Sequence, residues 1–200
     1  MKKLLFIFLF LISFSGISQT LIDSYSESNK DYACQMYSGN YVANGQSFTN
    51  TNACTLGSAK FYMTRNGTIT GNIYATIYAH TGTYGTSSKP TGSVLATSDA
   101  VAISTIPTGS IWGLITFTFS GANQISLTSN TYYVLVVAFS GGDVNNEIFV
   151  GADNSSPTHS GNRCALYGAT WYTYTLDCCF YVYTTAGAPA ANPPKLMISY

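Results

Sequence analysis

The chain has 200 residues, a formal net charge of zero and only 8% charged side chains. It carries neither the basic stripe that offsets nucleic-acid phosphate nor a basic amphipathic helix, so nucleic acid is not an expected partner and membrane insertion is not expected. It is rich in Thr, Tyr, Ser, Val and Gly, the residues of pleated strands joined by tight turns.

Lys2 and Lys3 precede an unbroken apolar run from Leu4 to Phe14, and the small residues Gly16 and Ser18 follow before Gln19. A basic start, a short apolar core and a small-residue exit describe a secretory leader over residues 1–18, because a spanning helix needs about 20 apolar residues. The expected location is secreted: extracellular or at the cell surface. Without Lys2 and Lys3, six basic side chains face eight acidic ones, a net charge of −2. Export places Cys34, Cys54, Cys164, Cys178 and Cys179 where disulfides persist, and their spacing fits no zinc site.

Strands are predicted in order along residues 19–185. Cys34–Ser38, Gln46–Thr49 and Leu56–Met63 come first, followed by Asn-Gly in "RNGT" (Arg65–Thr68), a hairpin signal. In "NIYATIYA" the residues Ile73, Ala75, Ile77 and Ala79 alternate with Tyr74, Thr76 and Tyr78, which predicts a strand with one face in a core. "HTGTYGTSSKPTG" (His80 to Gly92) reads as a crossover, followed by a strand at Ser93–Ser98. "LITFTF" sets Ile115, Phe117 and Phe119 opposite Leu114, Thr116 and Thr118. The continuous apolar run Tyr132 to Phe139 predicts a central strand covered on both sides. Glu147–Val150, Asn162–Tyr167 and Cys178–Tyr183 complete the set, and the Pro/Ala-rich residues 186–200 read as a linker or tail. The expected fold is all-β: a jelly-roll (Greek-key) β-sandwich of about nine or ten antiparallel strands.

The blocks "GQSFT" (Gly45–Thr49), "LGSAKFYM" (Leu56–Met63), Ile77–Asp99, Phe117–Asp143 and "CFYVY" (Cys179–Tyr183) resemble, in that order, the jelly-roll domains of exported bacterial and phage-associated proteins known as choice-of-anchor domains. The resemblance spans most of residues 41–183 and implies fold and secretion, with a surface or binding role by association. Its motifs are structural, so no catalytic residue carries over, and the cysteine pattern is not part of it.

Asp153 and His159 lie near Ser155, Ser156 and Ser160, but no Gly-x-Ser-x-Gly elbow is present and no carboxylate pair stands out for glycoside hydrolysis. An enzyme is not expected. In "GGDVNNE", Asp143, Asn145 and Glu147 alternate as oxygen donors for a structural calcium, the one cofactor the residue types allow; turn chemistry alone also accounts for them. "CALYGATWYTYTLDCCFYVY" (Cys164 to Tyr183) carries Trp171, Tyr172 and Tyr174, rings suited to stacking on the C–H face of a sugar, with Trp112 and Tyr84 as further candidates. The same stretch reads equally as a stapled hairpin: Cys164 and Cys178 lie seven residues either side of Trp171, with Cys34–Cys54 or Cys34–Cys179 as a second bridge. If Phe180 and Val182 face the core, Cys178 does too, while Cys179, Tyr181 and Tyr183 face out. The expected function is non-catalytic binding of carbohydrate or a cell-surface polymer; the alternative is a structural or adhesive surface protein working through protein contacts.

Overall fold

A computed structural model describes residues 18–186. The expected leader lies outside this range except for Ser18, and so does the expected tail except for Ala186.

Fifteen strands are found among the described residues. The first five are β1 (Leu21–Tyr25), β2 (Tyr32–Met36), β3 (Tyr41–Asn50), β4 (Cys54–Arg65) and β5 (Asn72–Thr81). Next come β6 (Lys89–Thr97), β7 (Val101–Ala102), β8 (Gly113–Thr118), β9 (Ser126–Leu127) and β10 (Thr131–Ala138). The last are β11 (Ile148–Asp153), β12 (Arg163–Tyr167), β13 (Thr170–Tyr174), β14 (Asp177–Cys178) and β15 (Phe180–Thr184). They form two antiparallel sheets packed as a β-sandwich. In the first, β1-β15-β4-β11-β14 run in order, with β2 on β11 and β8 and β9 on β4. The second runs β13-β12-β3-β10-β5-β6, with β7 on β5. The chain changes sheet repeatedly, and its ends meet in one ladder, Leu21 of β1 lying opposite Tyr183 of β15.

Alternation builds the core. Ile73, Ala75 and Ile77 from β5, Phe117 from β8 with Phe119 just beyond it, and Phe180 and Val182 from β15 are fully buried between the sheets with Phe48, Phe61 and Met63. The apolar run of β10 divides in two. Tyr133, Leu135 and Val137 face this core, whereas Val134 and Val136 join Ala43 and Cys164 in a smaller cluster on the other face. Leu166, Trp171 and Tyr78 pack on that cluster. The second sheet curls over it strongly enough to bring its two edge strands, β13 and β6, within 8 Å (Cα–Cα) of each other.

Three expectations are corrected. The strand count exceeds nine or ten because β1, β13 and three two-residue strands, β7, β9 and β14, complete the ladders. Asn66-Gly67 does not close a hairpin: β4 and β5 belong to different sheets, and the turn carries the chain between them. The His80–Gly92 stretch is no crossover, since His80 and Thr81 pair with Pro90 and Lys89 in a β5–β6 hairpin.

The expected disulfides are also corrected, for the five cysteines are unpaired. The chain turns at Gly168, where φ is +59°, so Cys164 faces Thr173 across the β12–β13 hairpin rather than Cys178. Cys178 has passed to the first sheet, opposite Ala152 of β11. Cys34 lies in β2 opposite Val150, and Cys54 opens β4 opposite Leu127. Cys179 occupies the break between β14 and β15 and is fully buried, not facing out.

Candidate binding site

Along one side of the sandwich neither sheet is closed. There β2 pairs only with β11, and β13 only with β12. Between these free edges lies a cavity of about 270 Å³ lined by Tyr32, Cys34, Tyr41, Arg163 and Tyr174, with Gln35 and Asn154 at its polar margin.

Register explains how these side chains meet. Arg163 pairs with Gln46 on one side and Tyr174 on the other, which puts Arg163 and Tyr174 on the face of the second sheet that looks toward the first. Arg163 is 4% exposed. Its Nε donates to Asn44 Oδ1 at 2.8 Å, and its Nη2 donates to the same oxygen. Asn44 Nδ2 in turn donates to the Cys34 carbonyl of β2, at 3.4 Å. The guanidinium lies 4.5 Å from the Tyr174 ring centroid and 5.8 Å from that of Tyr41, favourable distances for cation–π contact. The Tyr41 and Tyr174 hydroxyls hydrogen-bond at 2.6 Å. Burial raises the Tyr174 phenol, and the Tyr41 hydroxyl adds to the shift. Burial also raises the Cys34 thiol, against the pull of Arg163.

The loop after β11 is pinned beside this cavity. Asp31 accepts the N–H groups of Asn154 and Ser155 at 2.8 and 3.0 Å, and the Ser155 hydroxyl followed by the Asn154 N–H hold its carboxyl below the usual range. Deeper in, Asp153 accepts Tyr25 Oη at 2.6 Å. His159 Nδ1 accepts the Gly161 N–H at 3.0 Å, which leaves its Nε2–H to donate to Asp23 Oδ1 at 3.1 Å. Asp177 accepts Gln46 Nε2 and the His159 N–H, and burial raises its carboxyl. The Asp153–His159 stretch is thus tied by Asp153, its imidazole and its backbone N–H groups to its surroundings on both sides.

The five aromatic candidates do not form one surface. Tyr172 and Tyr174 share a face of β13, with Tyr172 46% exposed. Trp171 points the other way, half-buried against the small cluster around Cys164. Trp112 packs on Tyr62 at 5.5 Å between ring centroids, with Lys30 Nζ 4.3 Å from its own ring. Tyr84 stacks on Tyr132 at 4.1 Å and 15°, and burial pushes its phenol up to about 12.

Of the calcium candidates, Asp143 accepts the N–H groups of Asn145 and Asn146 at 2.8 and 3.1 Å and the Asn146 amide as well. The Asn145 N–H and the Asn146 side chain lower its carboxyl. Glu147 is buried at 6% exposure with Oε2 unpartnered. Among the described residues no three His, Cys, Asp or Glu side chains gather as metal ligands.

Arg163, Tyr41 and Tyr32 were not among the sequence candidates. Alternation along "RCALY" sets Arg163 on the face opposite Cys164, but which edges of the sandwich stay open is a tertiary fact that alternation does not carry. Compared with known proteins, the chain matches no family model, no curated protein and no solved structure.

Proposed function

We propose that this protein is a secreted, non-catalytic binding module for carbohydrate or a cell-surface polymer, with Tyr174 as its principal ring and the cavity between the open edges as its site. One observation carries the reading: Tyr174, Tyr41 and Tyr32 line a cavity that also holds a guanidinium and amide side chains. Sugar recognition needs this combination, flat apolar faces with polar groups at their margins. At about 270 Å³ the cavity is just below the usual range for small-molecule pockets, about 300–1,000 Å³, and suits one sugar-sized unit of a longer chain. Binding of the purified protein to a panel of soluble polysaccharides, by affinity electrophoresis and calorimetry, tests it. Retardation by at least one polymer, lost in Tyr174→Ala with unchanged melting, is expected; no retardation by any polymer ends the reading.

The free edge of β2 favours a second reading, a structural or adhesive protein that adds a partner's strand. It requires concentration-dependent association, and a monomer by sizing at every concentration removes self-association.

A further inference from the structure

The Arg163 guanidinium faces the cavity without a counter-ion. The side-chain contact between a basic group and a carboxylate found among the described residues is His159 Nε2 to Asp23 Oδ1 at 3.1 Å, and no carboxylate among them lies within 4 Å of Arg163. Its acceptor is a neutral amide oxygen, Asn44 Oδ1, which receives Nε and Nη2. Among the described residues Nη1 makes no hydrogen bond to a protein oxygen, the neutral Cys34 thiol neighbours the guanidinium, and the side chain lines the cavity. Asp31, on the neighbouring turn, is occupied with the Asn154 and Ser155 N–H groups.

An unpaired charge buried to this degree is costly, and proteins rarely retain one unless something completes it. Arginine is always charged, so its charge cannot be shed by losing a proton. The Tyr41 and Tyr174 hydroxyls bond to each other, which uses one of their two protons and leaves the other O–H to join the guanidinium in holding an anion. A single cation in a cavity without Lys or a second Arg in its lining balances a monoanion. With the Nε edge occupied by Asn44, the end of the guanidinium carrying Nη1 remains for a small oxyanion.

Resting on the carbohydrate-binding reading, we infer that the cavity selects a carboxylated sugar, a uronic-acid unit whose carboxylate meets Arg163 Nη1 while its ring lies against Tyr174. The ligand carboxylate supplies the missing counter-ion, and the aromatic wall supplies the apolar contact. A neutral sugar satisfies the wall and leaves the guanidinium unpaired.

The test compares three probes on the full protein: polygalacturonate, its fully methyl-esterified form, and dextran sulfate. Esterification removes the charge and keeps the sugar ring. The expected result is binding to polygalacturonate, at least tenfold weaker for the ester and for dextran sulfate, and at least tenfold weaker in Arg163→Gln than in wild type. Arg163→Lys, which keeps the charge and loses the fork, should fall between them. If Arg163→Gln fails to fold, the ester comparison on the wild-type protein still decides. Equal or tighter binding of the ester, or of neutral polysaccharides from the panel, overturns the inference and leaves the carbohydrate reading standing. Equal binding of dextran sulfate overturns carboxylate selectivity in favour of any oxyanion. Silence from every saccharide overturns both.

Discussion

Cys164 and Cys178 lie on opposite faces of a single strand, β3, with Gly45 between them. A β-carbon on Gly45 would stand 3.0 Å from Cys164 Sγ on one face, while Cys178 Sγ approaches the Gly45 carbonyl at 3.9 Å from the other. The backbone of β3 is the barrier that keeps two fully buried thiols apart.

The thiols are therefore expected to remain free. Titration with Ellman's reagent in guanidinium, without reductant, should return five thiols per chain. In the native state Cys54, the one half-exposed thiol among them, should react first. Burial pushes Cys164 and Cys179 up to about 12, so little thiolate exists near neutrality to attack the reagent. A denatured titre of three or one would reveal bridges and overturn the assignment.

Gly45 is also a packing constraint. Besides Cys164, an added β-carbon would meet Val136 Cγ2 at 2.9 Å and the Leu135 carbonyl at 3.0 Å. The carbonyl belongs to the central strand and cannot turn aside. Gly45→Ala should destabilise by about 1–3 kcal/mol, the usual cost of overpacking. Chemical denaturation checks it: an unchanged midpoint would mean the β3–β10 pair can spread at no cost.

The rings of β13 should separate cleanly under substitution. Trp171 packs on the small cluster, so Trp171→Ala should cost about 2 kcal/mol, less than the roughly 3–5 kcal/mol of a fully buried ring. Tyr172 is exposed on the other face, and Tyr172→Ala should change stability by no more than about 0.5 kcal/mol. Thermal melts of the two variants decide; similar losses from both would place the rings in one environment.

Glu147 gives the fold a pH dependence. Burial raises its carboxyl, and its Oε2 has no partner among the described residues. The native state therefore holds the proton more tightly than the unfolded chain does. Stability from this group is present below the unfolded value, about 4.3, and is lost as pH rises through the raised folded value. Glu147→Gln keeps the group neutral and should gain about 1 kcal/mol at pH 7, a melting rise of about 2–4 °C. In EDTA, which removes any calcium from the Asp143 loop, the gain should vanish near pH 3.5. A gain that persists there would be packing, not charge.

Much of the fold was legible because each strand states its own period. Ile73, Ala75 and Ile77, or Ile115, Phe117 and Phe119, name their buried face without help from the rest of the chain. What is decided between strands was not legible. Asn66-Gly67 marks a turn, but not whether the next strand joins the same sheet. Symmetric spacing about Trp171 suggested a Cys164–Cys178 pair; the turn at Gly168 instead put Thr173 opposite Cys164 and sent Cys178 to the other sheet. Trp171, Tyr172 and Tyr174 looked like one platform in sequence, whereas period-two geometry splits them between two faces. Arg163 drew no notice because its isolation from acids exists only in three dimensions.

The β1–β15 ladder has a mechanical consequence. Leu21 and Tyr183 are partners, so both ends of the described chain leave the sandwich at the same place and side by side. Tension between those ends loads the ladder at its terminal hydrogen bonds, which then give way one after another rather than together in shear. Held by both ends, this domain peels from that corner inward, and β1 is the first strand to come away.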